Sequence, residues 1–380
     1  MDVNEGELLS VLRDLTEQDT TNPPGNEYLV SNVVKKFFLK NKIRFKIYEK
    51  KKNRTNIIGY IGRGKPTLIL AVHSDVVPAG DGWNSNPFKM VMKSGKLYGR
   101  GMVDNKGQMA CCLICAKMIK SLEKQMKGSM VIACVADEER GSELGLKYLV
   151  REKKISGDYA IVPDIENGMK RIAVGEKGLL FLKIISLGRQ AHGSTPELGV
   201  NAIDNMLDFL NEFRRYKYRY RSDILFTPPT KSIGYINGGV AANVVPGKCE
   251  ARLDIRYLPS TRKEDILKDI RNMFVGVKKK NNNASFRIEI MDDQKPFILD
   301  RNNVLTKSLV KNIRNVCGWT PEIYGTSGTT VAKPLAESGV MTAVFSPGEG
   351  KAHAANECVK ISELVDFTKI IRMTAEDILF

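Results

Sequence analysis

Three histidines occur in the 380 residues, and each stands at a turn beside groups that could share its chemistry. Imidazole is the commonest side-chain metal ligand and a proton carrier near neutral pH. His73 ends the apolar run 67–72 and is followed by Ser74 and Asp75. The spacing of two puts both side chains on one side of an extended segment, so Asp75 can hydrogen-bond the ring and choose the nitrogen that faces a metal. The stretch Tyr98-Gly-Arg-Gly-Met-Val-Asp104-Asn-Lys-Gly107 delivers a carboxylate directly before a helical pattern. The apolar run 131–136 leads into Asp137, Glu138 and Glu139. Adjacent carboxylates at a strand end repel one another unless a cation lies between them. One Glu can then hold the cation while its neighbour takes a proton from water. Asp164 follows a short strand pattern at 159–162, and His353 follows the glycine-rich Ser346-Pro-Gly-Glu-Gly350.

Taken singly, each of these signals has a plain structural reading: a core contact, a helix N-cap at Asp104, a loop acid, a solvated histidine. Together, two histidines and several carboxylates from five strand or helix ends describe a site for two divalent cations. Two dications carry four positive charges; Asp104, Glu139 and Asp164 supply three negative ones and leave one for hydroxide. Nitrogen and oxygen donors without thiolate favour Zn²⁺, with Co²⁺ or Mn²⁺ as substitutes.

The elements that must position these groups follow an alternating pattern. Helical periodicity at 7–16 and 27–40 alternates with short apolar strands at 67–72, 130–136 and 159–162, which predicts an α/β layer with a mixed, largely parallel buried sheet. From 179 the order is strand, helix, strand, strand, helix, strand (181–187, 200–213, 232–237, 249–257, 262–274, 285–290), the split ferredoxin-like α+β motif. After 291 the earlier style resumes. The expected organisation is a discontinuous catalytic domain, 1–178 with 291–380, carrying an inserted domain at 179–290.

Composition narrows the function. The apolar share of 42% and charged share of 27% suit a soluble globular chain. The net charge of +16 is spread diffusely, which argues against a nucleic-acid partner; the basic runs at 50–54 and 278–280 read as solvated loop tips. Apolar runs are far shorter than the roughly 20 residues of a membrane span, and the N-terminal stretch 1–7 is acidic where a signal peptide would be basic. Seven cysteines, an odd number without paired-motif spacing, read as buried thiols of a reducing cytoplasm.

The ordered set His73-Ser-Asp75, Gly99-Arg-Gly-x-x-Asp104-x-Lys-Gly107, Asp137-Glu-Glu139 and His353-x-x-Asn-Glu357 resembles the M20 metallopeptidases, the group of acetylornithine deacetylase, succinyl-diaminopimelate desuccinylase, aminoacylase-1 and carboxypeptidase G. The resemblance spans essentially the whole chain. It implies that His73 and Asp164 hold one metal and Glu139 and His353 the other, with Asp104 bridging. It further implies Glu138 as general base, Asp75 as the residue that orients His73, and His192 as the oxyanion donor on a mobile lid that also forms a homodimer interface. Asn243, Arg256, Gly328 and Thr329 match positions that hold a substrate carboxylate. The implied reaction is hydrolysis of an amide in a short peptide or N-acyl amino acid, with no nucleic-acid or membrane partner. Asp164, where the biosynthetic deacylases commonly carry Glu, tilts the expectation toward a carboxypeptidase or dipeptidase; a deacylase of the desuccinylase or acetylornithine type is the alternative. A non-catalytic binding protein on this fold would be expected to lack a ligand or the base, and all are present.

Overall fold

The computed structural model describes residues 2–165 and 167–380, so Met1 of the acidic N-terminal stretch lies outside the described residues. The chain divides into two compact units: Met1–Val174 with Leu299–Tyr324 and Thr330–Phe380, and Gly175–Ile298 with Gly325–Thr329. The cuts fall at 174/175 and 298/299, where the sequence leads one to expect 178 and 291, and the short segment 325–329 clusters with the second unit.

In the first unit a mixed sheet runs in the order Arg44–Glu49, Thr55–Gly62, Ser129–Val135, Thr67–His73, Tyr159–Val162, Met341–Val344, Arg171–Glu176. Only the four strands from Ser129–Val135 to Met341–Val344 are mutually parallel; their neighbours on both sides are antiparallel. The reason is in the side chains. The parallel strands are apolar and buried almost throughout, as strands covered on both faces must be, whereas Arg44–Glu49 is largely exposed and suits an edge. Helices Lys106–Ser121 and Ile361–Leu379 pack against the sheet and each other, burying most of their length.

All four parallel strands end at the same edge, where ligands gather in open α/β sheets. Register aligns those ends: His73 lies opposite Val135, and Leu70 opposite Ile161, which brings His73 level with Asp164 three positions later.

The second unit contains a four-stranded antiparallel sheet in the order Thr230–Gly238, Lys248–Tyr257, Gly178–Leu187, Ser285–Gln294. With helices Ala202–Arg215 and Lys263–Lys280 this is the expected ferredoxin-like motif, first and third strands central. Alternate residues Leu180, Leu182, Ile184, Ala251, Leu253 and Ile255 face Met206, Phe209, Phe213 and Ile270 of the helices in one core. Asn201 starts the first helix by accepting hydrogen bonds from the amides of Ile203 and Asp204, an N-cap worth about 1 kcal/mol.

All seven cysteines are unpaired, with Cys111, Cys112 and Cys115 buried in helix Lys106–Ser121. Among the described residues no helix is long and apolar enough to cross a membrane.

Candidate metal centre

Two clusters of potential ligands share one residue. His73, Asp104 and Asp164 form the first, Asp104, Glu139 and His353 the second, and within each the ligand atoms lie within 4.8 Å of one another. The two oxygens of Asp104 divide between the histidines. His73 Nε2 is 2.8 Å from Asp104 Oδ1 and 3.5 Å from Asp164 Oδ1; His353 Nε2 is 3.0 Å from Asp104 Oδ2 and 3.3 Å from Glu139 Oε2. The residues were read from five separate segments, and the aligned strand ends bring three of them, His73, Glu139 and Asp164, to one edge of the sheet.

The electrostatics call for positive charge. Hydrogen bonds to Asp104 and Glu139 raise the His353 imidazole to about 10. Burial works against a charge on His73, yet Asp104, Asp164 and Asp75 together hold it well above its usual value. Burial opposes ionisation of Asp104, but the two histidines keep its pKa below the usual carboxylate range. Glu138, half-buried and beside Asp164, is pushed well above that range, by burial first and by the Asp164 charge second. Glu139 Oε1 is buried with no hydrogen-bond partner among the described residues, an expensive state for a carboxylate oxygen that a cation would relieve. The donor set of two imidazoles and three carboxylates therefore fits a pair of divalent cations.

The candidate ligands other than His353 are held from behind. His73 Nδ1 meets the main-chain oxygen of Asp75 at 2.9 Å, while the Asp75 carboxylate stands 3.6 Å away, too far for a hydrogen bond. The expectation that this carboxylate orients the ring is thus corrected: the carbonyl does so, because the chain turns after His73. The carboxylate instead accepts the amides of Glu138 (3.0 Å) and Glu139 (3.2 Å) and the side-chain amide of Asn22 (2.8 Å). Asp104 does not cap the helix that follows it. Asn105 occupies the N-cap position without a side-chain cap, and its side chain donates to Pro163 O at 2.6 Å, fixing the residue before Asp164. Buried Glu357 accepts the amides of Gly101, Val103 and Asp104 and an ion pair from Arg100 at 2.9 Å. Burial lifts its pKa to about 7 against these bonds.

Residues 69–377 match the model of peptidase family M20/M25/M40. The chain belongs to this family. It is 36% identical over 339 residues to an uncharacterized metallohydrolase of Methanocaldococcus jannaschii, covering 83% of this chain and 82% of the relative. It is 30% identical over 321 residues to succinyl-diaminopimelate desuccinylase of Legionella pneumophila, covering 82% and 83%. The fold matches the crystal structure of aminopeptidase PepT from Bacillus cereus with a TM-score of 0.81 at 20% identity, covering 99% of each chain. As an M20 chain it is a metallohydrolase of amide bonds.

The remaining site residues expected of the M20 chain lie in its second unit. His192 is exposed, its Nδ1 2.7 Å from Ser194 Oγ. It is bridged to Val244, next to Asn243, whose carbonyl accepts the Gly193 amide at 2.8 Å. Arg256 is held by Asp254 through Nε (2.7 Å) and Nη2 (3.1 Å), and its Nη1 is 3.4 Å from both Ser327 O and Thr329 Oγ1. Gly328 N donates to Thr326 Oγ1 in the same loop. His192 is thus grouped with Asn243, and Arg256 with the 327–329 loop.

Sequence reasoning missed Asn22, Glu27 and Arg54. Arg54 closes the run expected to be a solvated loop tip, yet it is buried and ion-paired; Lys50, Lys51 and Lys52 are exposed. The run at 278–280 is exposed, but it forms the last turn of helix Lys263–Lys280 and not a loop tip. The available signal was Asn22-Pro-Pro-Gly25, a turn sequence set between two helices.

Proposed function

We propose that the protein is a dinuclear Zn²⁺-dependent hydrolase that cleaves the amide bond of a short peptide or N-acyl amino acid bearing a free carboxylate. The observation that carries this reading is Asp104, placed with one oxygen toward each of two histidine–carboxylate sets. His73, Asp104 and Asp164 would hold one cation, and Asp104, Glu139 and His353 the other. When bound, the two cations would polarise the scissile carbonyl and acidify water toward neutral pH.

Glu138 removes the proton of the attacking water as the water oxygen bonds to the carbonyl carbon, and returns it to the amine nitrogen as the C–N bond breaks. Burial and the neighbouring Asp164 charge raise its pKa above the usual carboxylate range. Asp75 supports this by gripping the amides of Glu138 and Glu139. His192 donates to the developing oxyanion. Arg256 holds the substrate carboxylate with the forked geometry of its guanidinium, aided by Asn243, Gly328 and Thr329. The unit containing them serves as lid and homodimer interface, and the seven unpaired cysteines accord with a cytoplasmic location.

Asp164 supports a carboxypeptidase or dipeptidase. A deacylase is the second reading, favoured by the 30% identity to a relative named as a desuccinylase. The test is a panel of dipeptides, N-succinyl and N-acetyl amino acids offered to the enzyme before and after chelation. Hydrolysis of a carboxylate-bearing member, abolished by chelator and restored by Zn²⁺, is expected; turnover indifferent to chelator contradicts the reading.

A further inference from the structure

Behind the Asp137–Glu139 turn lies a buried ionic cluster that the mechanism does not use. Asp137 follows strand Ser129–Val135 in the left-handed conformation, φ 67°, uncommon for a residue other than glycine. Its N–H donates to Glu27 Oε1 at 3.2 Å; its Oδ1 accepts from Arg54 Nη2 at 2.9 Å and Asn22 Nδ2 at 3.4 Å; its Oδ2 accepts from Leu144 N at 3.1 Å. Arg54 grips Glu27 with Nε and Nη2, both at 2.7 Å. Asn22 Nδ2 also donates to Asp75 Oδ2, the oxygen that accepts the Glu139 amide. Asn22, Glu27, Arg54, Asp75 and Asp137 are all buried.

The chain makes room for this arrangement. Gly25 has φ 107°, and a Cβ there would lie 2.3 Å from Arg54 Nε and 2.8 Å from Glu27 Oε2. Buried ion pairs contribute little net stability compared with apolar packing, so a cluster that reaches a ligand-bearing turn through directional bonds is suited to setting conformation.

We propose that Glu27, Arg54 and Asn22 are positioning residues: a brace that locks Asp137 in its left-handed turn and thereby aims Glu138 and Glu139. The proposal rests on the roles given above to those two residues. The brace acts on them through Asp137 on one side and through Asn22 and Asp75 on the other.

The experiment compares Arg54→Met, Asn22→Ala and the double variant Glu27→Gln/Arg54→Met with the wild-type holoenzyme. Three quantities are read: Zn²⁺ affinity of the metal-free protein against a chromophoric chelator, kcat and KM on a cleaved panel substrate, and thermal unfolding. Each single variant is expected to lose about 10- to 100-fold in Zn²⁺ affinity at one site and in kcat, with KM unchanged. The double variant leaves the cluster at the same net formal charge, so its unfolding temperature should recover while kcat and Zn²⁺ affinity do not. Recovery of all three together overturns the proposal, since the cluster would then be purely structural. Should Arg54→Met fail to fold, Asn22→Ala decides alone, because it alters no charge: wild-type Zn²⁺ affinity and kcat in that variant overturn the brace. If the wild type cleaves no panel substrate, the functional reading fails, and Zn²⁺ affinity still decides the brace.

Discussion

The candidate carboxylate ligands of the first unit and the polar side chains of the second unit's candidate site are held at different ranges. In the first unit the amide of Glu139 is held by Asp75, the amide of Asp104 by Glu357 and the residue before Asp164 by Asn105, all distant in sequence, while His73 Nδ1 meets the carbonyl of Asp75 two residues on. In the second unit His192 bonds Ser194 two residues on, and Arg256 is gripped chiefly by Asp254 two residues back. Bonds between segments distant in sequence fix the mutual geometry that carboxylates around a shared cation would need. His192 and Arg256, which we propose meet the substrate, are held chiefly by local bonds that can rearrange as it arrives. On the proposed function, the contrast separates side chains that would build the centre from side chains that would use it.

That contrast can be broken experimentally, beginning with the largest effect. Asp104→Ala, which removes the shared ligand, should bind neither cation at stoichiometric Zn²⁺ and show no turnover above background; metal analysis of the dialysed protein measures this. Glu138→Ala should keep both ions yet lose about 10²- to 10⁴-fold in kcat, the usual contribution of a positioned acid–base group. Wild-type-like turnover there would remove the proposed base. His192→Ala should also keep both ions and lose about 10²-fold in kcat, as loss of one oxyanion donor does; loss of metal instead would erase the distinction between the units. Arg256→Ala should act mainly on KM, raising it about 10-fold for a carboxylate substrate, and should leave a substrate amidated at that carboxylate almost unaffected.

Much of the candidate centre was legible in sequence because His73, Glu139 and Asp164 sit at or just past the ends of apolar strands. Thr67–His73, Ser129–Val135 and Tyr159–Val162 announce their ends by the change from apolar to acidic or imidazole side chains, and parallel register then brings those ends together. The ferredoxin-like unit was legible for the same reason, its alternation of buried and exposed residues being clean in Lys248–Tyr257. Partners across long separations were not. Arg54 finds Glu27 on one side of the sequence and Asp137 on the other, and in a run of lysines nothing local marks it as buried. The role of Asp75 was misread because a two-residue spacing assumes continued strand, whereas the turn presents its carbonyl to His73 and frees its carboxylate for the next strand's end. The extent of parallel pairing was also overstated: the short apolar runs identify buried strands, but not that their neighbours toward each edge reverse direction.

Anomalous diffraction at the zinc edge, from crystals grown with Zn²⁺, tests the central claim most directly. Two peaks flanking the Asp104 carboxylate, one shared with His73 and Asp164 and the other with Glu139 and His353, are the predicted result. A single peak, or peaks that leave Asp104 without a metal on either oxygen, would contradict a dinuclear centre built around that residue.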